Sequence, residues 1–262
     1  MKEYCKVAAA IVTFRNPVGD VISAAKSILN SDVDVKLTII DNYSCNGLFE
    51  QLQRVIQCHF VQTGKNGGFG FAHNIGMRSA TDSDYYLVAN PDVVVPLSSL
   101  KDMVEYMDKH PDIGLLCPKI LNEDGTCQQL NKRDPTVFDL FLRRFLPACV
   151  QKLPKVRHRM DFYVMNDWGY ETPYEVPYVS GCFMLFRRSV LEQLGGFDEG
   201  FFMYLEDADI TRRVRKIARA VFYPHAVIMH KWARGSHYSL KLTVVTMRSA
   251  IHYFNKWGWK LW

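Results

Sequence analysis

The sequence predicts an α/β fold built on a mostly parallel central sheet. Three observations carry this. Continuous apolar runs of strand length recur through the first half of the chain, as in "KVAAAIVTF" (6–14) and "VKLTIIDN" (35–42). Segments with helical spacing of apolar residues separate them, as in "PVGDVISAAKSILN" (17–30). Polar residues and glycines gather where the runs end. A run that is apolar at every position reads as a strand buried on both faces, and strand–helix–strand order sets successive strands parallel.

The remaining elements follow in order. "CHFVQT" (58–63) is a third strand, and "FGFAHNIGMRSA" (69–80) is a helix behind a glycine-rich turn. "DYYLVANPDVVV" (84–95) is a strand ending at Asn90-Pro91-Asp92, followed by the amphipathic helix "LSSLKDMVEYMDKH" (97–110) and the strand "GLLCPKIL" (114–121). Beyond residue 121 the alternation weakens. Residues 122–125 form a turn, and 136–160 mixes aromatic and aliphatic residues with many cations. "YEVPYVSGCFMLFRR" (174–188) predicts a strand pair, with a helix at 189–194 and one or two short strands in "AVFYPHAVIMH" (220–230). Residues 239–262 form a terminal amphipathic helix with an aromatic, basic end. The chain thus divides into 1–121, 122–238 and 239–262.

Bulk properties narrow the classes. The 262 residues suit one large domain or two small ones, and 48% apolar content supports a substantial core. The formal net charge of +5 is too mild to mark a nucleic-acid binder; it suits an anionic small substrate or an anionic membrane surface. Seven cysteines, an odd number with no CxxC, argue against a zinc ribbon or a disulfide framework and for a reducing, cytosolic compartment. The amino-terminal stretch lacks the apolar length of a signal peptide or a membrane span.

Ligands of open parallel sheets bind at the carboxyl ends of the strands. Three polar signals lie there: Asp41 at the end of "TIIDN", the turn "GKNGGFGFAHN", and "NPD". The turn is neither a P-loop nor GxGxxG; its glycines serve either a tight turn or close backbone approach to a ligand. Asp92 could cap a turn or hold a divalent ion against a diphosphate. The stretch "FFMYLEDADITRR" (201–213) sets Glu206, Asp207 and Asp209 in four positions. Such residues complement a helix N-terminus, and Asp209 could pair with Arg212 or Arg213. Packed together in a partly buried site, they would also raise one pKa, which suits a general base. His230 ends an apolar run, with His237 seven residues on; neutral imidazole is a common metal ligand, which gives His230 a use if Asp92 holds a metal.

In order along the chain, "AAAIVTFRN", "TIIDNYSCNG", "GKNGGFGFAHNIGM", "YYLVANPDVVV", "VSGCFMLFRRSVLEQLGGFDEGFFMYLEDADITRRV" and "MHKWARGSH" resemble the inverting glycosyltransferases of family 2, with the GT-A fold. Within them the chain resembles bacterial rhamnosyltransferase-type enzymes of O-antigen and cell-wall polysaccharide assembly. The resemblance implies a Rossmann-like sheet flanked by helices, with a donor-binding half in 1–121, an acceptor-binding and catalytic half in 122–238, and a C-terminal acceptor-side helix. It implies that Thr13 and Asp41 face the nucleotide base and ribose. Asp92 matches the metal-binding acid of a DxD motif, in which Asn90 replaces the first acid. Gly181 would lie beside the donor sugar, Asp207 matches the base of the "ED" motif with Glu206 beside it, and His230 matches a histidine that ligates metal in some relatives.

The expected donor is dTDP-rhamnose, with UDP-hexose or UDP-N-acetylhexosamine as alternatives, and the expected cofactor is Mg2+ or Mn2+. The expected acceptor is a lipid-diphosphate-linked glycan at the cytoplasmic face of the membrane. Residues 141–159 (Arg143, Arg144, Lys152, Lys155, Arg157, Arg159) and the carboxyl end (Lys256, Trp257, Trp259, Lys260, Trp262) suit a headgroup layer, or else a solvated basic face and a helix docked on the core. A non-catalytic sugar-nucleotide-binding protein and a nucleotidyltransferase are the rival classes.

Overall fold

A computed structural model describes residues 4–80, 82–231 and 240–262. Its strands are β1 (Cys5–Thr13), β2 (Val35–Asp41), β3 (His59–Gln62), β4 (Ser83–Ala89), β5 (Val93–Val94), β6 (Ile113–Leu121), β7 (Tyr174–Glu175), β8 (Phe183–Arg187) and β9 (Arg219–His230). Its helices are α1 (Val18–Leu29), α2 (Leu48–Gln53), α3 (Phe69–Ser79), α4 (Ser99–Lys109), α5 (Val137–Phe145), α6 (Ala148–Gln151), α7 (Pro154–Tyr163), α8 (Arg188–Gln193), α9 (Glu206–Val214) and α10 (Leu240–Trp257).

The strands lie in the order β3-β2-β1-β4-β8-β6-β9-β5, with β7 paired to β9. The expected parallel sheet is present: β3, β2, β1 and β4 run parallel, as do β6 and β9. β8 is antiparallel to both β4 and β6 in the middle of the sheet. Alternation along β1 separates two cores. Val7, Ala9 and Ile11 belong to the core beneath α1 and α4, whereas Ala8 and Ala10 belong to the core beneath α3, α8 and α9. The small residues of "AAA" let α3 approach closely. A Cβ on Gly76 would lie 3.3 Å from Ala10 Cβ and 2.8 Å from Ile40 Cδ1. A third cluster, including Phe201, Leu205, Ala208, Tyr253 and Phe254, seats α10 against α9; each fully buried aromatic there contributes roughly 2 kcal/mol.

Several expectations are corrected. Residues 84–95 form two strands, because Asn90-Pro91-Asp92 turns the chain from β4 into β5 at the far edge. Residues 174–188 do not form a pair: β7 bonds to β9, while β8 enters the centre of the sheet. Residues 220–230 lie in one long strand, which absorbs a register shift opposite Pro118 and Lys119. Residues 136–160 form α5, α6 and α7, with start signals that were readable: a capping box between Thr136 and Asp139, and Pro154 in the first turn of α7.

Candidate active site

The carboxyl ends of β1, β2, β4 and β9 and the start of β8 share one rim, set by the pairs Thr13↔Asp41, Ala89↔Phe183 and Val93↔His230. Thr13 and Asp41 are fully buried there. Asp41 accepts hydrogen bonds from Ser44 Oγ, from Ser44 N at 3.1 Å and from Gln62 Nε2 at 3.1 Å, and Thr13 Oγ1 lies 3.4 Å from Asp41 Oδ1. Asp41 therefore fixes the loop that leaves β2.

The glycine-rich turn approaches the chain's own backbone. Phe69 N donates to Phe202 O at 2.9 Å, and a Cβ on Gly68 (φ +95°) would lie 1.9 Å from the same oxygen. Asn74 reinforces the contact, donating to Phe197 O at 2.9 Å and accepting from Phe197 N at 2.8 Å. This holds residues 197–202, and hence the acidic stretch, at the rim. Just before α9, Tyr204 (φ +73°) and Leu205 (φ +66°) both adopt left-handed backbone. Two such residues in succession without glycine are strained, and the packing around them maintains that strain where α9 begins.

The three carboxylates of α9 have different environments. Asp209 is fully buried and paired, accepting from Arg213 Nε at 2.9 Å, Trp257 Nε1 at 2.8 Å and Lys256 Nζ at 2.8 Å. Asp207 is oriented by neutral donors. Its Oδ1 accepts from Tyr178 Oη at 3.0 Å and from Ala208 N at 2.9 Å, and its Oδ2 accepts from Gly181 N at 3.0 Å. A Cβ on Gly181 would come within 3.3 Å of Asp207 Cβ. Glu206 is buried and its Oε2 has no hydrogen-bond partner. Burial first, and then the charge of Asp207, raise its pKa well above the usual carboxylate range. The like-charge cluster thus does raise one pKa, and the group raised is Glu206.

Asp92 and His230 meet on the same rim, with Asp92 Oδ1 3.3 Å from His230 Nε2. Gln128 fixes the imidazole. Its amide nitrogen donates to His230 O at 2.7 Å and to Asn122 Oδ1 at 2.8 Å, so its oxygen faces His230 Nδ1 at 3.0 Å as an acceptor. The neutral ring then carries its proton on Nδ1 and presents Nε2 as a lone pair. Asp92 Oδ1 is buried and accepts no hydrogen bond. A carboxylate oxygen and an imidazole lone pair facing one another fit a divalent cation, with Gln128 as the outer support such ligands require. Asn90, whose Nδ2 lies 3.4 Å from the same Nε2, completes this corner; its backbone N donates to Cys182 O at 2.9 Å, one residue from Gly181. The acidic pair and the Asp92–His230 corner are thereby joined through three residues. His237 lies outside the described residues.

Three residues of the site carry no motif signal: Gln128, Tyr178 and Lys132. Lys132 Nζ sits 4.2 Å from the centroid of the Tyr178 ring.

Residues 9–195 match the family described as glycosyl transferase family 2. The chain belongs to that family. This glycosyltransferase is 28% identical over 228 residues to N-acetylglucosaminyl-diphospho-decaprenol L-rhamnosyltransferase of Mycobacterium tuberculosis, which covers 79% of this chain and 70% of that protein. It is 28% identical over 206 residues to rhamnosyltransferase WbbL of Escherichia coli K12, covering 74% and 72%. Among solved structures, the mannosyltransferase PcManGT from Pyrobaculum calidifontis, in complex with GDP-Man and Mn2+, aligns with a TM-score of 0.64 at 15% identity, over 97% of this chain and 64% of that one. GalNAc-T7 with UDP, GalNAc and Mn2+ aligns with a TM-score of 0.67 at 15% identity, over 97% and 50%. The chain spans about half to two thirds of the length of these solved structures, and they support its GT-A fold.

Proposed function

We propose that this family 2 enzyme is an inverting glycosyltransferase that moves L-rhamnose from dTDP-rhamnose to a hydroxyl of a lipid-diphosphate-linked glycan. The family supports the transfer of a sugar from a nucleotide donor. The two relatives named as rhamnosyltransferases support the sugar, and the name of the mycobacterial one supports a lipid-linked acceptor.

The observation that carries the mechanism is the orientation of Asp207. Tyr178 and Ala208 engage Oδ1, whereas among the described residues Oδ2 accepts only from Gly181 N and keeps a lone pair for a proton. The acceptor hydroxyl oxygen bonds to the anomeric carbon as the bond from that carbon to the diphosphate oxygen breaks. The hydroxyl proton passes to Asp207 Oδ2, and the nucleoside diphosphate leaves with the bonding pair. Attack opposite the leaving group inverts the anomeric centre. Asp92 and His230 would hold a Mg2+ or Mn2+ ion, which supplies positive charge to offset that of the departing diphosphate. Thr13, Asp41 and Asn90 are the donor-side residues in this reading, and Gly181 borders the transferred sugar.

The surface around α10 supports a membrane-bound acceptor. Among the described residues no helix is long and apolar enough to cross a membrane. Leu240, Val244, Met247 and Ile251 instead form an exposed apolar stripe at helical spacing, and Phe141 and Phe145 are exposed on α5. Arg144 of α5 bonds to Thr243 of α10, which sets the two helices side by side. Exposed Lys241, Arg248 and Lys152 supply cations, and α10 contains no acidic residue. The carboxyl end divides between the two expected uses: Lys256 and Trp257 dock on α9, while Trp259 and Trp262 are exposed.

The test is transfer by Asp207→Asn. Turnover falls by about two decades or more while donor affinity holds, as for loss of a general base. Turnover within a few-fold of wild type would overturn the assignment. A nucleotide-sugar panel, read by ligand-induced thermal shift with and without divalent metal, identifies the donor.

A further inference from the structure

Lys132 is partly buried beside the acidic pair and belongs to none of the motifs. Lys132 N donates to Tyr178 O at 3.1 Å, and the two residues form an isolated antiparallel bridge. This lays the Lys132 ammonium over the Tyr178 ring, 4.2 Å from its centroid. Tyr178 is itself buried, and its hydroxyl donates to Asp207 Oδ1 at 3.0 Å. A cation, a phenol and a carboxylate therefore stand in series, and the carboxylate is the one assigned as the base.

We propose that Lys132 and Tyr178 are positioning residues for Asp207: the phenol aims the carboxylate, and the ammonium balances its charge. The proposal rests on the reading of Asp207 as the base. A cation on the face of an aromatic ring draws electron density from the phenol and strengthens its O–H as a donor. Burial, and then the charge of Asp207, push the Tyr178 pKa well above 10, so the hydroxyl remains a donor throughout the working range. That bond occupies Oδ1 and leaves Oδ2 to receive the proton.

Among the described residues the titratable and charged groups facing this series are these. Glu206 lies on α9 with Asp207, Cys182 directly precedes β8, Tyr163 ends α7, and Arg143 projects from α5. Burial first lowers the Lys132 pKa, Asp207 and Glu206 oppose that change, Arg143 adds to it, and the net value is about 8. The attraction between Lys132 and the two carboxylates is reciprocal: the ammonium favours the ionised carboxylate as the carboxylates favour the ammonium. Lys132 thus supplies a compensating charge beside Glu206 and Asp207, and it loses that charge as pH rises through about 8.

The test is the pH dependence of transfer by Lys132→Met, Lys132→Arg and Tyr178→Phe, with donor affinity measured by calorimetry and folding checked by circular dichroism. Lys132→Met lowers kcat about tenfold or more and moves the acid limb of kcat/KM to higher pH by about one unit, with donor affinity within about threefold of wild type. Lys132→Arg restores the acid limb and abolishes the wild-type alkaline limb near pH 8, because guanidinium does not titrate there. Tyr178→Phe lowers kcat about ten- to a hundredfold and leaves donor affinity in place. Should Lys132→Met fail to fold, Lys132→Arg and Tyr178→Phe carry the test. An alkaline limb near pH 8 retained in Lys132→Arg, or wild-type kcat in Tyr178→Phe, would overturn the proposal while an inactive Asp207→Asn left the base in place. An active Asp207→Asn would remove the base reading and this proposal together.

Discussion

Trp257, at the end of α10, donates its indole N–H to Asp209 of α9 at 2.8 Å. Asp209 lies two residues from Asp207, yet the two carboxylates have different partners: cations and an indole for Asp209, neutral donors for Asp207. Asp209→Ala leaves Arg213, Lys256 and Trp257 without their common acceptor. Breaking a buried ion pair from one side costs about 3–5 kcal/mol, so the urea midpoint falls strongly at unchanged slope. Asp207→Asn leaves the unfolding free energy within about 1 kcal/mol of wild type while turnover collapses. Urea titration and transfer assays on the two variants check the contrast.

Gln128 supports the Asp92–His230 corner from outside. Gln128→Leu removes the acceptor for His230 Nδ1 and frees the ring to rotate. Mn2+ affinity is expected to fall about 10- to 100-fold, as for other outer supports of metal-bound histidine. Asp92→Ala removes a ligand outright and lowers affinity further. Electron paramagnetic resonance of free Mn2+ reports both changes without reference to turnover, and unchanged affinity in both variants would remove the cation from this corner.

His73 predicts acid sensitivity of the fold. It is fully buried with neither ring nitrogen hydrogen-bonded, and burial lowers its pKa from 6.5 to about 3. Between those values the unfolded chain binds a proton that the folded chain does not. The contribution of this group to stability is therefore complete above pH 6.5 and declines by ~1.4 kcal/mol per pH unit as pH falls towards 3. Glu206 shifts in the opposite sense for an acid, with its contribution favourable at low pH and lost as pH rises through its raised value. Comparison of wild type with His73→Leu isolates the histidine. The urea midpoint of wild type relative to the variant falls between pH 7 and pH 5.

The exposed stripe of α10 is tested by sedimentation with vesicles. Binding to anionic vesicles is strong at low salt and weakens as salt rises, since each cation near an anionic surface contributes on the order of 1 kcal/mol. Val244→Glu together with Ile251→Glu abolishes binding and leaves the fold intact, because both side chains are exposed. Equal, negligible binding of wild type to neutral and anionic vesicles at low salt would remove the membrane from the reading.

Much of the site is legible in the sequence because its residues end local patterns. Asp41, Asn90 and Asp92 close apolar runs, and His230 closes another, so their positions at one rim follow from strand direction alone. The acidic stretch is visible by charge, but the division of labour within it is not. The i,i+4 spacing to Arg213 hints at a paired role for Asp209, but its burial beneath Trp257 and Lys256, 47 or more residues further on, is set by contacts that no local pattern shows. Lys132, in "NKRDP", has the composition of a solvated loop and becomes a site residue only through its bridge to Tyr178. The left-handed pair Tyr204-Leu205 is equally silent, because neither residue type favours that backbone. The placement of β8 depends on pairing with β4 across nearly a hundred residues, beyond the reach of any local pattern.

That placement has a consequence for how the protein is made. A chain emerging from the ribosome completes β1 to β4 early, and these strands can pair at once. The edge of β4 that faces β8, the apolar "YYLVA", has no partner until Phe183–Arg187 has been synthesised and has inserted antiparallel beside it. Translation of roughly the first two thirds of the chain therefore leaves an unpaired hydrophobic edge at what will become the middle of the sheet, the kind of edge that recruits other nascent chains. Pausing between β4 and β8 prolongs that exposure. The strand that brings Gly181 to Asp207 is also the one that closes the sheet, so the rim of the cleft is completed in the step that removes the edge.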